Sequence, residues 1–99
     1  MRLVCISDTH SMHRQVVVPD GDVLIHAGDC LGVGTLEELE DLDNWFSEQP
    51  HRHKILIAGN HDWCLQDEPA DAEALIRNAI YLRDRSINIE GVKFWGSPW

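Results

Sequence analysis

Three short apolar runs, Leu3-Val4-Cys5-Ile6, Val23-Leu24-Ile25-His26-Ala27 and Lys54-Ile55-Leu56-Ile57-Ala58, each pass without a break into a polar loop. This repeated transition constrains the fold more than any other feature. Continuous apolar runs of this length suit buried strands. The loops that follow are Ser7-Asp8-Thr9-His10-Ser11, Gly28-Asp29 and Gly59-Asn60-His61-Asp62. Pro19-Asp20-Gly21 marks a turn ahead of the second run. Between the second and third, Thr35 and Glu38 have capping-box spacing, and Leu36, Leu39, Leu42, Trp45 and Phe46 recur at helical intervals through about Ser47. Strand, crossover helix and strand imply parallel pairing.

Pro69 predicts the start of a second helix containing Ala72, Leu75, Ile76 and Ala79, with Tyr81-Leu82 as a short fourth strand. The pattern then changes. Ser86-Ile87-Asn88-Ile89 and Val92-Lys93-Phe94-Trp95, joined by Glu90-Gly91, predict a hairpin. The fold class is α/β: a mainly parallel sheet with crossover helices and a carboxyl-terminal β-hairpin.

At 99 residues, 43% hydrophobic and 25% charged, the chain suits one domain over residues 1–99 with a single core. The net charge of −9, from 17 acidic and 8 basic residues, opposes binding to long nucleic acid or anionic membranes. A small phosphorylated substrate held through metal ions is compatible with it. Glu37, Glu38, Glu40, Asp41 and Asp43, and then Asp67, Glu68, Asp71 and Glu73, read as solvated helix faces. No apolar run approaches the roughly 20 residues of a membrane span, and Met1-Arg2 leads into a strand instead of a signal core, so a cytoplasmic location is expected. Cys5, Cys30 and Cys64 lack CxxC spacing and read as idle thiols.

Parallel α/β sheets bind ligands beyond the carboxyl ends of their strands, where these three loops converge. The oxygen and imidazole donors of Asp8, His10, Asp29 and Asn60 suit Mn, Fe or Zn. Asp29, on the middle loop, is the natural bridge between two ions. Such a pair would clamp a phosphate and activate water, which implies phosphoester hydrolysis. His61 is placed to face substrate, with Asp62 as the group that orients it. Asp8 or Asp29 alone could equally cap a turn or a helix; it is the repeated relation to strands that points to a site. Gly28 and Gly59 let the backbone turn beside it. Trp63 could be core or pocket wall.

Asp8-x-His10, Gly28-Asp29 and Gly59-Asn60-His61-Asp62, in that order, resemble the calcineurin-like metallophosphoesterase family over Arg2 to Trp99. Ser7-Asp8-Thr9-His10-Ser11, His26-Ala27-Gly28-Asp29 and Gly96-Ser97-Pro98-Trp99 look closest to a small subgroup, some members of which act on cyclic nucleotide phosphodiesters. The resemblance implies the amino-terminal part of an αββα sandwich with a dinuclear site. Asp8 and His10 would bind the first of two divalent ions, Asp29 would bridge and Asn60 would bind the second. His61 would be the catalytic, substrate-facing histidine, with Asn60 also near substrate and Asp62 as the partner of His61.

Family members normally add later histidines in Gly-His and Gly-His-x-His arrangements, and this sequence has none after His61. The second metal site is therefore expected to be incomplete. His51-x-His53 precedes its strand, roughly 16 Å from the metal loops, and both residues are expected in an exposed loop. His26 reads as a core or sheet-face residue. His13 reads as a surface residue, in a loop able to bend toward substrate.

The apolar stretch Phe94 to Trp99 looks interrupted, as in a domain truncated at its carboxyl end. One sheet face would then be bare, leading to a homodimer or strand exchange. The alternative to an active phosphoesterase is a catalytically incomplete metal-binding or interaction fragment of the same fold.

Overall fold

A computed structural model describes residues 1–98 and has four parallel strands at its centre, β1 (Leu3–Ile6), β2 (Val23–His26), β3 (His53–Leu56) and β4 (Ile80–Tyr81), in the spatial order β1-β2-β3-β4. Trp99, the last residue of the Gly96-Ser97-Pro98-Trp99 stretch, lies outside the described residues. The third strand begins one residue earlier than the apolar run suggests, at His53, and is regular only to Leu56. Ile57 nevertheless continues the ladder, its N–H donating to the His26 carbonyl.

Helix α1 (Leu36–Glu48) crosses between β2 and β3. Its capping box is complete: Thr35 Oγ1 accepts from the Glu38 N–H and the Glu38 carboxylate accepts from the Thr35 N–H. Leu39, Leu42, Trp45 and Phe46 bury the inward stripe against Val4, Leu24 and Leu56 of the sheet. Each such fully buried side chain contributes about 2 kcal/mol of transfer free energy. Asp43 shares that buried stripe, contrary to the expectation of a wholly solvated acidic face. Its Oδ1 accepts from the N–H groups of Arg77 and Asn78, and its Oδ2 from the Asn78 amide. A buried carboxylate is tolerated when paired in this way.

Helix α2 (Trp63–Asp67) follows the third polar loop directly and was not expected. Helix α3 (Pro69–Leu75) has the anticipated proline in its first turn but stops before Ile76. Its continuation is diverted because Asp43 captures the next amides.

The hairpin β5 (Arg85–Ile89) and β6 (Val92–Gly96) turns through Glu90 and Gly91, with φ of 50° and 83°. Those left-handed values match a two-residue hairpin turn. Ile87, Ile89 and Phe94 pack on the sheet face opposite the helices, against Val23, Ile25, Ile55, Ile57 and Ile80. The expected bare face is thus covered over β2 to β4. At β1 it stays open, with Leu3 46% exposed and Cys5 exposed beside it.

Candidate metal centre

The loop after β1 and the loop after β2 continue the parallel ladder beyond the strands. Asp8 N–H donates to the Gly28 carbonyl, His10 N–H to that of Asp29 and Ser11 N–H to that of Cys30, at 2.9, 3.1 and 2.9 Å. Both loops turn sharply while paired. Asp8, His10, Ser11 and Asp29 have φ of 57°, 44°, 64° and 54°, a region that side-chain-bearing residues rarely enter. Four such residues at one end of the sheet store strain where the polar clusters meet.

His10, Asp29 and His61 each offer one donor atom within 4.8 Å of the others. Ligands about 2.1 Å from a single ion lie at most about 4.2 Å apart, so only a small closure would complete the set. Two imidazoles and a carboxylate suit Zn, Mn or Fe. The Asp29 Oδ1 accepts from the His61 N–H at 3.0 Å, and the His61 Nδ1 lies 3.4 Å away. The His10 and His61 rings meet edge to face with centroids 5.3 Å apart. Burial alone would raise the Asp29 pKa, but the His61 backbone and imidazole hydrogen bonds outweigh it and hold the carboxyl below its ordinary value.

Asp8 stands at the margin of this group, its Oδ1 3.9 Å from His10 Nε2 and its side chain 62% exposed. The Asn60 side-chain amide faces both Asp29 carboxylate oxygens at 3.1 Å. With its nitrogen toward them it donates two hydrogen bonds; with its oxygen toward them, three oxygens face one point and need a cation to hold them. Either way Asn60 lies against the Asp29 carboxylate.

Asp62 does not partner His61. Its buried carboxylate accepts from the N–H groups of Leu31, Gly59 and Cys30 at 2.9, 2.8 and 3.2 Å, and from the Cys30 thiol at 3.4 Å. Those four donors use up its oxygens, and Asp29 takes the place beside the His61 ring. Asp62 therefore ties the loop after β3 to the loop after β2. Burial and the nearby Asp62 charge push the Cys30 thiol far up, so it stays protonated.

Glu38 is a second tie, and sequence reasoning saw only its capping role. Its carboxylate accepts from the N–H groups of Gly32, Val33, Gly34 and Thr35 and from Ser11 Oγ, all at 2.8 to 3.0 Å. The signal that could have revealed it is Gly32-Val33-Gly34, a tight run of backbone donors just ahead of the cap. Because Ser11 adjoins His10, Glu38 joins the loop after β1 to α1 and to the loop after β2.

The remaining histidines are structural. His26 is fully buried; its Nδ1 accepts from the Gly28 N–H, which leaves Nε2 to donate to Thr9 Oγ1 at 2.9 Å. Burial drives its pKa down to about 4. His13 is not at the surface: it lies buried beside Trp45 with Nε2 3.0 Å from Asp41, because the 3₁₀ turn His13–Gln15 docks on α1. His51 is also buried, held 2.9 Å from the Pro19 carbonyl; His53 opens β3 half-buried, at the end of the sheet opposite the metal loops. Trp63 is half-exposed beside the loop after β3, where Gly34 packs against its backbone.

The profile of the calcineurin-like phosphoesterase superfamily domain matches residues 1–95. This chain belongs to the calcineurin-like phosphoesterase superfamily. Among similar proteins, a UPF0046 protein of Caenorhabditis elegans is 40% identical over 113 residues, which takes in 100% of this chain and 39% of the relative. The human metallophosphoesterase domain-containing protein 1 is 35% identical over 121 residues, covering 99% of this chain and 37% of that protein. The chain thus spans about two fifths of the length of these curated relatives. A protein of Emericella nidulans named probable rhamnogalacturonate lyase C is 56% identical over 110 residues, but the match takes in 10% of it, so that name carries no reading for this chain. That superfamily is one of metal-dependent phosphoesterases. Among the described residues, no helix is long and apolar enough to cross a membrane.

Proposed function

We propose that this chain supplies the dinuclear metal site of a phosphoesterase that hydrolyses phosphate mono- or diesters, with cyclic nucleotide phosphodiesters as one candidate substrate class. The convergence of the His10 and Asp29 donor atoms, with the His61 imidazole beside them within 4.8 Å, carries the reading. Asp8 and His10 would hold a first Mn, Fe or Zn ion and Asn60 a second, with Asp29 between them and the second site the poorer in ligands. When bound, the ions supply charge to polarise a phosphoryl group and to acidify a water. His61, half-exposed and beside Asp29, would donate a hydrogen bond to a phosphate oxygen or a proton to the leaving group. Asp62 contributes by holding Gly59 and Leu31, so that Asn60 and Asp29 keep their positions. Three free thiols suit a cytoplasmic setting, and the open face at Leu3 and Cys5 suits a homodimer or strand exchange, which sedimentation velocity would reveal.

The test is hydrolysis of bis(4-nitrophenyl) phosphate with added Mn. His61→Ala is expected to lower kcat by a factor on the order of 100 while leaving the circular dichroism spectrum unchanged. An unchanged rate would overturn the assignment. A second reading, a fragment that binds one ion without turnover, is favoured by the single three-residue donor group among the described residues. Calorimetry separates the two: two Mn ions per chain support the enzyme, one ion without hydrolysis the fragment.

A further inference from the structure

The amino end of the sheet, opposite the metal loops, holds the other concentration of chemistry in the molecule. The β3–β4 ladder begins at Ile55 and Ile80, and the segments leading into it separate. They leave a cleft of about 230 Å³ lined by Arg52, His53, Lys54, Arg77, Asn78, Ala79 and Ile80. Three of the eight lysines and arginines of a chain with net charge −9 thus line one small cleft, with a histidine beside them.

Six of the eight lysines and arginines, these three included, make no ion pair among the described residues, and what distinguishes the three is that they line one cleft. Arg14 is bound by Asp41 and Glu48, and Arg85 by Glu73. Among the described residues, Arg52, Lys54 and Arg77 have no carboxylate within ion-pair distance. Asp43 acts on Lys54 from beyond ion-pair distance, its oxygens accepting from the Arg77 and Asn78 amides and the Asn78 side chain. Lys54 is half-buried, and that burial pulls its ammonium pKa down. Three cations against the one carboxylate of Asp43 leave the cleft with a net positive charge, which a bound anion would balance.

We propose that this cleft is a phosphate-binding site, separate from the metal centre, which takes a single dianionic phosphate either free or carried on a small molecule. Two guanidinium forks and one ammonium match a tetrahedral dianion better than a planar, singly charged carboxylate. Asp43 fixes Arg77 and Asn78 from behind, so one wall of the cleft is preset by α1.

The proposal is tested on the whole chain in chelator, which removes metal from the other end. Inorganic phosphate, a phosphomonoester such as glucose 6-phosphate, and acetate are titrated separately while backbone amide resonances are followed. Saturable shifts confined to residues 52–54 and 77–80 with the phosphates, and none with acetate, are expected. Response to the ester alone assigns a carried phosphate, and response to both a free one. Arg77→Ala and Lys54→Met should each weaken binding about tenfold, whereas Asn60→Ala should leave it unchanged. Shifts at residues 59–62 instead, equal response to acetate, or retained affinity in a folded Arg52→Ala/Arg77→Ala double variant would each overturn the inference. Since no metal is present, failure here leaves the reading of the metal centre untouched.

Discussion

The α-carbon of Gly59 backs directly onto Asp29: a methyl group built there would overlap both the Asp29 Oδ1 and its backbone nitrogen. Contact this close between the loop after β3 and the loop after β2 explains why glycine ends the third apolar run. Gly28 and Gly59 also pack backbone to backbone, with a β-carbon on Gly28 falling 2.9 Å from the Gly59 nitrogen.

Gly59→Ala should therefore displace Asp29, since backbone stands on both sides and cannot yield cheaply. Overpacking of this kind costs about 1 to 3 kcal/mol. Loss of metal affinity should exceed the loss expected from that destabilisation alone, because the proposed site has Asp29 at its centre. Mn calorimetry on the folded variant checks this; affinity equal to that of the parent chain would refute the role given to Asp29.

Asp62→Asn tests whether residue 62 serves the loops or the imidazole. The carboxylate faces four donors, and an amide can accept with only one of its two ends. One amide N–H group would point at donors. The expected cost is roughly 3 kcal/mol in denaturant unfolding without metal. A residue acting only on His61 would give the opposite pattern, lower kcat with stability unchanged.

Acid should destabilise the fold through His26 before the carboxylates respond. Its folded pKa, about 4, lies below the ordinary 6.5, so the folded chain binds fewer protons than the unfolded one. That relation gives full stability above pH 6.5, which is lost as pH falls toward 4, by roughly 3 kcal/mol. His13, whose pKa is also lowered by burial, acts in the same direction. Asp29, Glu38 and Asp41 have lowered carboxyl pKa values and contribute losses only below their ordinary range. Urea melts at pH 7.5 and 5.0 should show the decline, and His26→Gln should remove the larger part of it. An undiminished slope in that variant would exclude His26 as the cause.

The parallel strands, the capping box at Thr35 and Glu38 and the Glu90-Gly91 turn were legible because each depends on local pattern. The three polar loops could be placed at one end of the sheet for the same reason, since parallel strands put all their carboxyl ends together. What escaped was decided across long separations. His13 is buried because a turn docks on Trp45, and His51 because its ring meets the Pro19 carbonyl. Asp62 reads from sequence as the neighbour of His61, yet its partners Cys30 and Leu31 lie some thirty residues away. Adjacent residues in a tight turn point in different directions, so proximity along the chain misassigned this carboxylate.

Glu38 supplies the most demanding test, because it touches no candidate ligand and yet lies one residue's reach from His10. Its carboxylate gathers the backbone of residues 32–35 and the hydroxyl of Ser11. Burial would raise its pKa, but these hydrogen bonds win and keep it ionised. Glu38→Ala should cost about 3 kcal/mol and lower Tm by roughly 15 °C in a chain this size. Glu38→Gln retains the shape but can accept through one oxygen only, so it should fall between. Supporting groups of this kind typically change metal affinity 10- to 100-fold, and a loss of about tenfold in Mn affinity is expected for the glutamine variant. Measured well below its Tm, that variant isolates the effect on the site from unfolding. If it binds Mn as tightly as the parent chain, the clamp stabilises α1 alone and the geometry around His10 is held by other contacts.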